Sequence, residues 1–196
     1  VIYSGIYEPD NKNADEDVTN FTALGYGKYY YTIDAKGYVV SNSTFSLGSK
    51  TETVDGTYTV NVVLKKAAEN AWDGQTFTEP QKDEDGTYLI STGAELAWFA
   101  KEVNSVATKS TSTINGKLTK DIDLASHNFP QIGYFNGGTE YVYYGGNFEG
   151  NNHKIYNFRF EKKAKAATGV YGGLFGYIKG AKITNLSVDG EVLVSA

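Results

Sequence analysis

The chain has no cysteine and no methionine, and only three prolines, two histidines and one arginine among its 196 residues. Without cysteine there are no disulfides, thiolate nucleophiles, internal thioesters or cysteine-type zinc sites. His127 and His153 are too few for most histidine-based metal centres. A lone Arg159 and a net charge of −5 argue against a nucleic-acid partner, which needs a basic footprint. No apolar run approaches the ~18 residues of a membrane-spanning helix, so membrane insertion is not expected. The start at Val1, with neither Met nor the charged-then-apolar pattern of a signal peptide, reads as a mature or excised piece. What the chain does have is 16 Tyr, 10 Phe and 22 Gly, the make-up of a β protein with many turns.

Two patterns divide the chain near Ala71–Trp72, giving expected modules at 1–70 and 71–196. Charge does not mark this boundary, since both parts are mildly acidic. In the first part, Val1–Tyr7, Lys28–Asp34, Tyr38–Val40, Thr44–Leu47 and Tyr58–Leu64 read as short strands. Tyr29, Tyr31 and Ile33 alternate with Tyr30 and Thr32, the period of a half-buried strand. Gly37 permits a turn, and no helical period appears, so a small β-sandwich is expected.

The second part holds one helix signal. Thr92-Gly93-Ala94-Glu95 is a capping box, and Leu96, Phe99, Ala100 and Val103 follow at helical spacing, with Asn104 as the stop. Beyond it, Lys154-Ile155-Tyr156-Asn157-Phe158-Arg159-Phe160 matches Lys182-Ile183-Thr184-Asn185-Leu186-Ser187-Val188 at a period of 28, and Asp121–Leu124 reads as a divergent earlier copy. Units of this length cannot bury an apolar face alone and stack into arrays. The expected form is a right-handed parallel β-helix, its asparagines stacked from coil to coil, with the helix capping one end and covering strand edges. The fold class is thus all-β: a small immunoglobulin-like β-sandwich, then a helix-capped β-helix.

Both parts resemble known families. Phe21–Leu24, Gly27–Tyr38, Ser43–Phe45 and Tyr58–Leu64 resemble the second half of prealbumin-like, carboxypeptidase-regulatory-type modules of bacterial surface proteins. The front half of that module is short here. In order, Trp72-x-Gly74, Asp85–Ile90, Ala94–Ala100, Leu118–Leu124, Pro130–Gly133, Tyr144–Gly150, Ile155–Phe158, Gly173–Gly176 and Ile183–Gly190 resemble the GLUG-type repeat of large bacterial surface and secreted proteins. The resemblance implies an extracellular or cell-surface setting and a non-enzymatic role in adhesion or structure, contacting glycans or host proteins. In that family further repeats follow the Val-x-Gly strand, so a piece of a larger protein is implied. The alternative is an accessory or catalytic part of a polysaccharide-degrading β-helix enzyme.

Candidate chemistry is sparse. Asp121 and Asp123 lie two apart on one strand face and could act as a sugar-cleaving pair, but no His adjoins them in sequence and they read as solvent-side flanks of Ile122 and Leu124. Asn11, Asn13, Asp15 and Asp17 alternate in a loop, and Asp83 and Asp85 precede Gly86. These are candidate calcium ligands, yet neither stretch has the Gly and distal Glu of an EF-hand, so solvated loops are favoured and no cofactor is expected. His127 and His153 sit in turn-like, exposed contexts, and Ser126 and His127 point apart. Gly145-Gly146 and Gly172-Gly173 lack the following helix and Lys of a phosphate loop and read as corners. Tyr134, Phe135, Tyr141, Tyr143 and Tyr144, around the Gly137-Gly138 turn, are the candidate contact for a glycan or protein, with Tyr143 or Tyr144 as the ring that fills the core. An uncapped strand edge near Val188–Val194 is a candidate for self-association.

Overall fold

The structure, a computed structural model, describes residues 27–47, 62–163 and 171–195. Strands take 41% of it and, among the described residues, there is one short helix, so the chain is all-β in class. It divides into two compact units.

In the first unit, β1 (Gly27–Ile33) pairs antiparallel with β2 (Ser41–Leu47), Tyr29 opposite Phe45 and Ile33 opposite Ser41. The alternation read from the sequence sets which face is covered. Tyr29 is buried and lies flat on Phe45, ring centroids 5.2 Å apart, while Thr32 is exposed and donates to Asn42 Oδ1 at 2.6 Å. Val1–Tyr7, Tyr58–Asn61 and most of the expected prealbumin-like module lie outside the described residues. Tyr38–Val40 forms no strand, only a bridge from Tyr38 to Lys66, and Val62–Leu64 is not strand either.

The second unit carries the rest. Two short strands, β3 (Gln81–Lys82) and β4 (Tyr88–Ile90), precede helix α1 (Gly93–Asn104). The capping box is complete. The Glu95 N–H reaches Thr92 Oγ1 at 3.2 Å, and Glu95 Oε2 accepts the N–H groups of Thr92 and Ser91 at 3.0 and 2.6 Å. Leu96, Phe99, Ala100 and Val103 are fully buried, as their spacing requires. At the other end, the Asn104 side chain donates to Gln131 O at 2.7 Å and accepts from the Gly133 N–H at 3.0 Å, tying the helix end to a distant segment.

The strands after α1 are β5 (Thr111–Ser112), β6 (Gly116–Leu118), β7 (Ile122–Asp123), β8 (Tyr134–Phe135), β9 (Tyr141–Tyr144), β10 (Asn147–Glu149), β11 (Lys154–Lys163), β12 (Lys182–Thr184) and β13 (Ser187–Ser195). They form three sheets, ordered β12-β10-β6-β4-β3, β13-β11-β7 and β5-β9-β8. All pairs are parallel except β3–β4 and β8–β9. Successive rungs place like on like: Ile122 pairs with Ile155 and Ile155 with Val188, while Gly116 pairs with both Tyr88 and Phe148, and Phe148 with Ile183. Phe99 of α1 meets Tyr88, Tyr144 and Phe148 edge-on at 5.7–6.0 Å, so the helix seals a core built from several strands. Gly116 makes room for it, because a Cβ there would lie 3.0 Å from the Phe99 ring and 3.2 Å from Phe148.

The 28-residue repeat does not stack in its own register. Lys154 pairs with Ser187 and Asn147 with Lys182, positions 33 and 35 apart, so the second copy starts in β12, in another sheet, and meets the first only through its last residues, Ser187 and Val188 of β13. What they share is a corner. Asn157 and Asn185 both adopt positive φ, at 50° and 51°. Each donates its side-chain amide to a carboxylate of an earlier rung, Asn157 to Asp123 at 2.6 Å and Asn185 to Glu149 at 3.0 Å. Each main-chain oxygen accepts from a left-handed turn of that rung, from the Ser126 and Asn152 N–H groups. The repeated sequence therefore encodes a local bend used twice, and its period is not the offset between paired rungs.

Candidate functional site

The hairpin β8–β9 is the aromatic segment singled out in the sequence. Its turn closes through Asn136 N–H to Glu140 O at 2.8 Å and Glu140 N–H to Gly137 O at 3.1 Å. In β9 the alternation is strict: Val142 and Tyr144 are buried, Tyr141 and Tyr143 half-buried on the opposite face. Antiparallel register puts Phe135 opposite Tyr141 and Tyr134 opposite Val142, so Phe135 joins the outer face and Tyr134 the other.

On that outer face five rings gather: Phe135, Tyr141, Tyr143, Tyr171 and Tyr177. Tyr143 and Tyr177 stack with centroids 4.4 Å apart, and their hydroxyls lie 3.4 Å apart. Phe135 stacks on Tyr141 at 6.2 Å and meets Tyr171 edge-on at 5.2 Å and Tyr177 at 5.4 Å. Tyr141 is edge-on to Tyr143 at 5.2 Å, and Tyr171 lies 5.5 Å from Tyr177. Tyr171 is 49% exposed; the other four are half-buried. The Tyr177 phenol titrates above its ordinary range, first through its hydrogen bond with Tyr143 and then through desolvation. Polar groups rim the rings. Asn136 donates to Glu140 Oε1 at 3.2 Å and accepts from Lys162 Nζ at 2.7 Å, and Lys179 Nζ stands 5.3 Å from the Tyr143 ring centre.

Two of these rings were missed in the sequence. Tyr171 is held from below: the buried Gln131 side chain donates to Tyr171 O at 2.8 Å and to Gly173 O at 3.1 Å. Tyr177 is set by the ladder, through Tyr144 N–H to Tyr177 O at 2.9 Å and a parallel bridge from Tyr144 to Ile178. The signal that could have found it is the spacing of the rungs, since Tyr177 follows Tyr143 by 34 residues, close to the ladder offsets and far from 28.

The same geometry removes two expected members. Tyr144 is fully buried, stacked on Phe175 at 5.8 Å, and so is the ring that fills the core. Its hydroxyl has no hydrogen-bond partner, and burial pushes the phenol well up. Tyr134 makes no part of the five-ring contact, because the pleat turns it away.

The carboxylates also differ from expectation. Asp123 is buried rather than a solvent-side flank, because it accepts from the N–H groups of Ala68 and Ala125 at 3.0 and 2.9 Å besides Asn157. Asp121 is exposed and held below the usual carboxylate range, first by the Lys154 N–H at 3.1 Å and then by His153, whose Nδ1 lies 3.2 Å away. Folding thus brings a histidine beside Asp121 that was absent from its sequence neighbourhood. His153 and His127 are half-buried rather than exposed, His127 against the edge of Trp72 at 6.1 Å. The lone Arg159 is buried and pairs with Glu161 at 2.6 Å and with Glu191, joining β11 to β13.

Of the calcium candidates, Asn11, Asn13, Asp15 and Asp17 lie outside the described residues. Asp83 Oδ1 accepts the N–H groups of Asp85 and Thr87 at 3.1 and 2.9 Å, closing its own loop, and Asp85 is exposed. Among the described residues no group of three or more His, Asp or Glu side chains gathers where a metal could be held. No helix of the described residues is long and apolar enough to cross a membrane.

No protein-family model, no curated protein and no solved structure matches this chain.

Proposed function

We propose that the chain is a non-catalytic module of a bacterial cell-surface or secreted protein and contacts glycans through the five-ring cluster. The observation that carries this reading is the gathering of Phe135, Tyr141, Tyr143, Tyr171 and Tyr177 on one face, with Tyr171 half in solvent. A fold that needed these rings only for its core would bury them as it buries Tyr144. Sugar rings present C–H faces that pack on aromatic faces, and the amide of Asn136 and the ammonium groups beside it can bond their hydroxyls. On the same reading, 71–196 is a short right-handed parallel β-helix of GLUG type capped by α1, following a partial prealbumin-like sandwich. The parallel rungs, with Ile122, Ile155 and Val188 in one column, support it. Self-association through the outer edge of β13 belongs to this proposal as well.

The test is a polysaccharide panel run on the whole chain and on Tyr171→Ala and Tyr177→Ala. Binding lost in the variants, at unchanged circular dichroism, supports glycan contact. Binding of a protein partner with an empty sugar panel would replace it with protein adhesion, and release of reducing or unsaturated sugar would replace the non-catalytic reading with the polysaccharide-degrading one.

A further inference from the structure

The charge around the five rings runs against that of the chain. The protein carries −5 overall, yet the side chains that reach the cluster are mostly cationic. Lys162, near the end of β11, brings its ammonium to within 2.7 Å of Asn136 Oδ1, on the residue that follows Phe135. Lys179, two residues beyond Tyr177, holds its ammonium 5.3 Å from the Tyr143 ring centre. Lys109 is exposed and donates its N–H to Tyr141 O at 2.7 Å, so its stem starts at the edge of β9. It does so at φ 69°, a conformation where glycine or asparagine is the cheaper residue. The carboxylate of the hairpin turn, Glu140, is tied to the Asn136 amide. Two ammonium groups, those of Lys162 and Lys179, therefore stand at the rings against one hydrogen-bonded glutamate.

Aromatic faces accept any pyranose of suitable shape and discriminate little by charge. Exposed ammonium groups do the opposite. Each adds little affinity, because solvent and salt screen it, but all add in the same direction for an anion and in none for a neutral sugar. We propose that the ligand of the five-ring cluster is an anionic polysaccharide, its sugar rings on the tyrosines and its carboxylate or sulfate groups against Lys162 and Lys179. This rests on the glycan-contact reading and adds the charge of the ligand. The net −5 of the chain matters to the argument, since general attraction to a polyanion is disfavoured and binding must come from the local arrangement.

The experiment is calorimetric titration of the whole chain with three defined oligosaccharides: a galacturonic acid oligomer bearing carboxylates only, a sulfated galactan oligomer free of uronate, and a neutral xylan oligomer. The variants are Tyr171→Ala and the double change Lys162→Gln with Lys179→Gln, all three residues outside the core. The expected result is binding to at least one anionic oligomer, weakened by added salt. It weakens roughly three- to tenfold in the double lysine variant and about as much in Tyr171→Ala. Which anionic oligomer binds separates carboxylate from sulfate recognition. Binding to the neutral oligomer with equal strength, unmoved by salt or by the lysine changes, would overturn the anionic assignment and leave glycan contact standing. Silence with all three would overturn both. Anion binding that falls with the lysines but ignores Tyr171→Ala overturns the proposal too, as charge attraction without the aromatic face.

Discussion

At the scale of single residues, two hydrogen-bonding extremes stand out. Tyr144 is buried with an unpartnered hydroxyl, a group that costs roughly 1–3 kcal/mol to leave unsatisfied. Tyr144→Phe keeps the stack on Phe175 and removes that oxygen, so chemical denaturation is expected to show a gain of about 1–2 kcal/mol. The sign with pH follows from the raised phenol. Below the ordinary value of 10.0 the proton is held in both folded and unfolded chains; above it the unfolded chain ionises first and the protein loses stability. The advantage of Tyr144→Phe should therefore widen as pH rises past 10, and a constant difference would refute the burial account. Asp73 is the opposite case. Its carboxylate accepts the Thr76 hydroxyl at 2.5 Å and the N–H groups of Thr76 and Gln75 at 2.7 and 2.9 Å, which pull it from 3.8 down to about 2. Its stabilising effect is present above pH 3.8 and is lost as pH falls through 2. Asp73→Asn should be less stable at neutral pH and less sensitive over that acid window, read from midpoints of thermal melts. That turn also seats Trp72, whose Nε1–H donates to Thr76 O at 2.8 Å.

At the scale of elements, α1 and the hairpin β8–β9 differ in how far they could be read from the chain. The helix was legible because its signals are local: Thr92 and Glu95 are three residues apart, and the buried stripe repeats every three or four. Alternation in β9 was equally local, and the sequence left open whether Tyr143 or Tyr144 turned inward. The face was decided by the ladder to β5 on one side and Ile178 on the other. The hairpin is also held by a close backbone approach. Gly133 lies just before β8 at φ 68°, and a Cβ there would stand 3.0 Å from Tyr144 N and 3.2 Å from Val142 O, and nearer still to the Tyr177 carbonyl. Gly133→Ala is thus both strained and crowded. A loss of more than about 1 kcal/mol is expected, together with loss of glycan binding because Tyr177 must move. A melt unchanged from the parent would contradict this packing.

At the scale of the whole molecule, the ladders of the second unit end on β12 in one sheet and β13 in another. Nine residues long, β13 exposes Val188, Val192, Leu193 and Val194 and carries no lysine or proline to guard its outer edge. The proposed self-association is therefore expected to appear as a sedimentation coefficient that rises with protein concentration, and Val192→Lys should abolish the rise. A coefficient independent of concentration in the parent would remove the idea. The class of the protein, the capped helix and the half-buried strands were determined by the sequence alone, because each depends on residues within a few positions of one another. Which rungs pair was not: the visible repeat of 28 marked a recurring asparagine corner, whereas the rungs of the two matching segments join residues 33 and 35 apart. That choice rests on packing between distant segments, and it alone brought Tyr171 and Tyr177 to Tyr143, buried Asp123 and sent Tyr144 into the core.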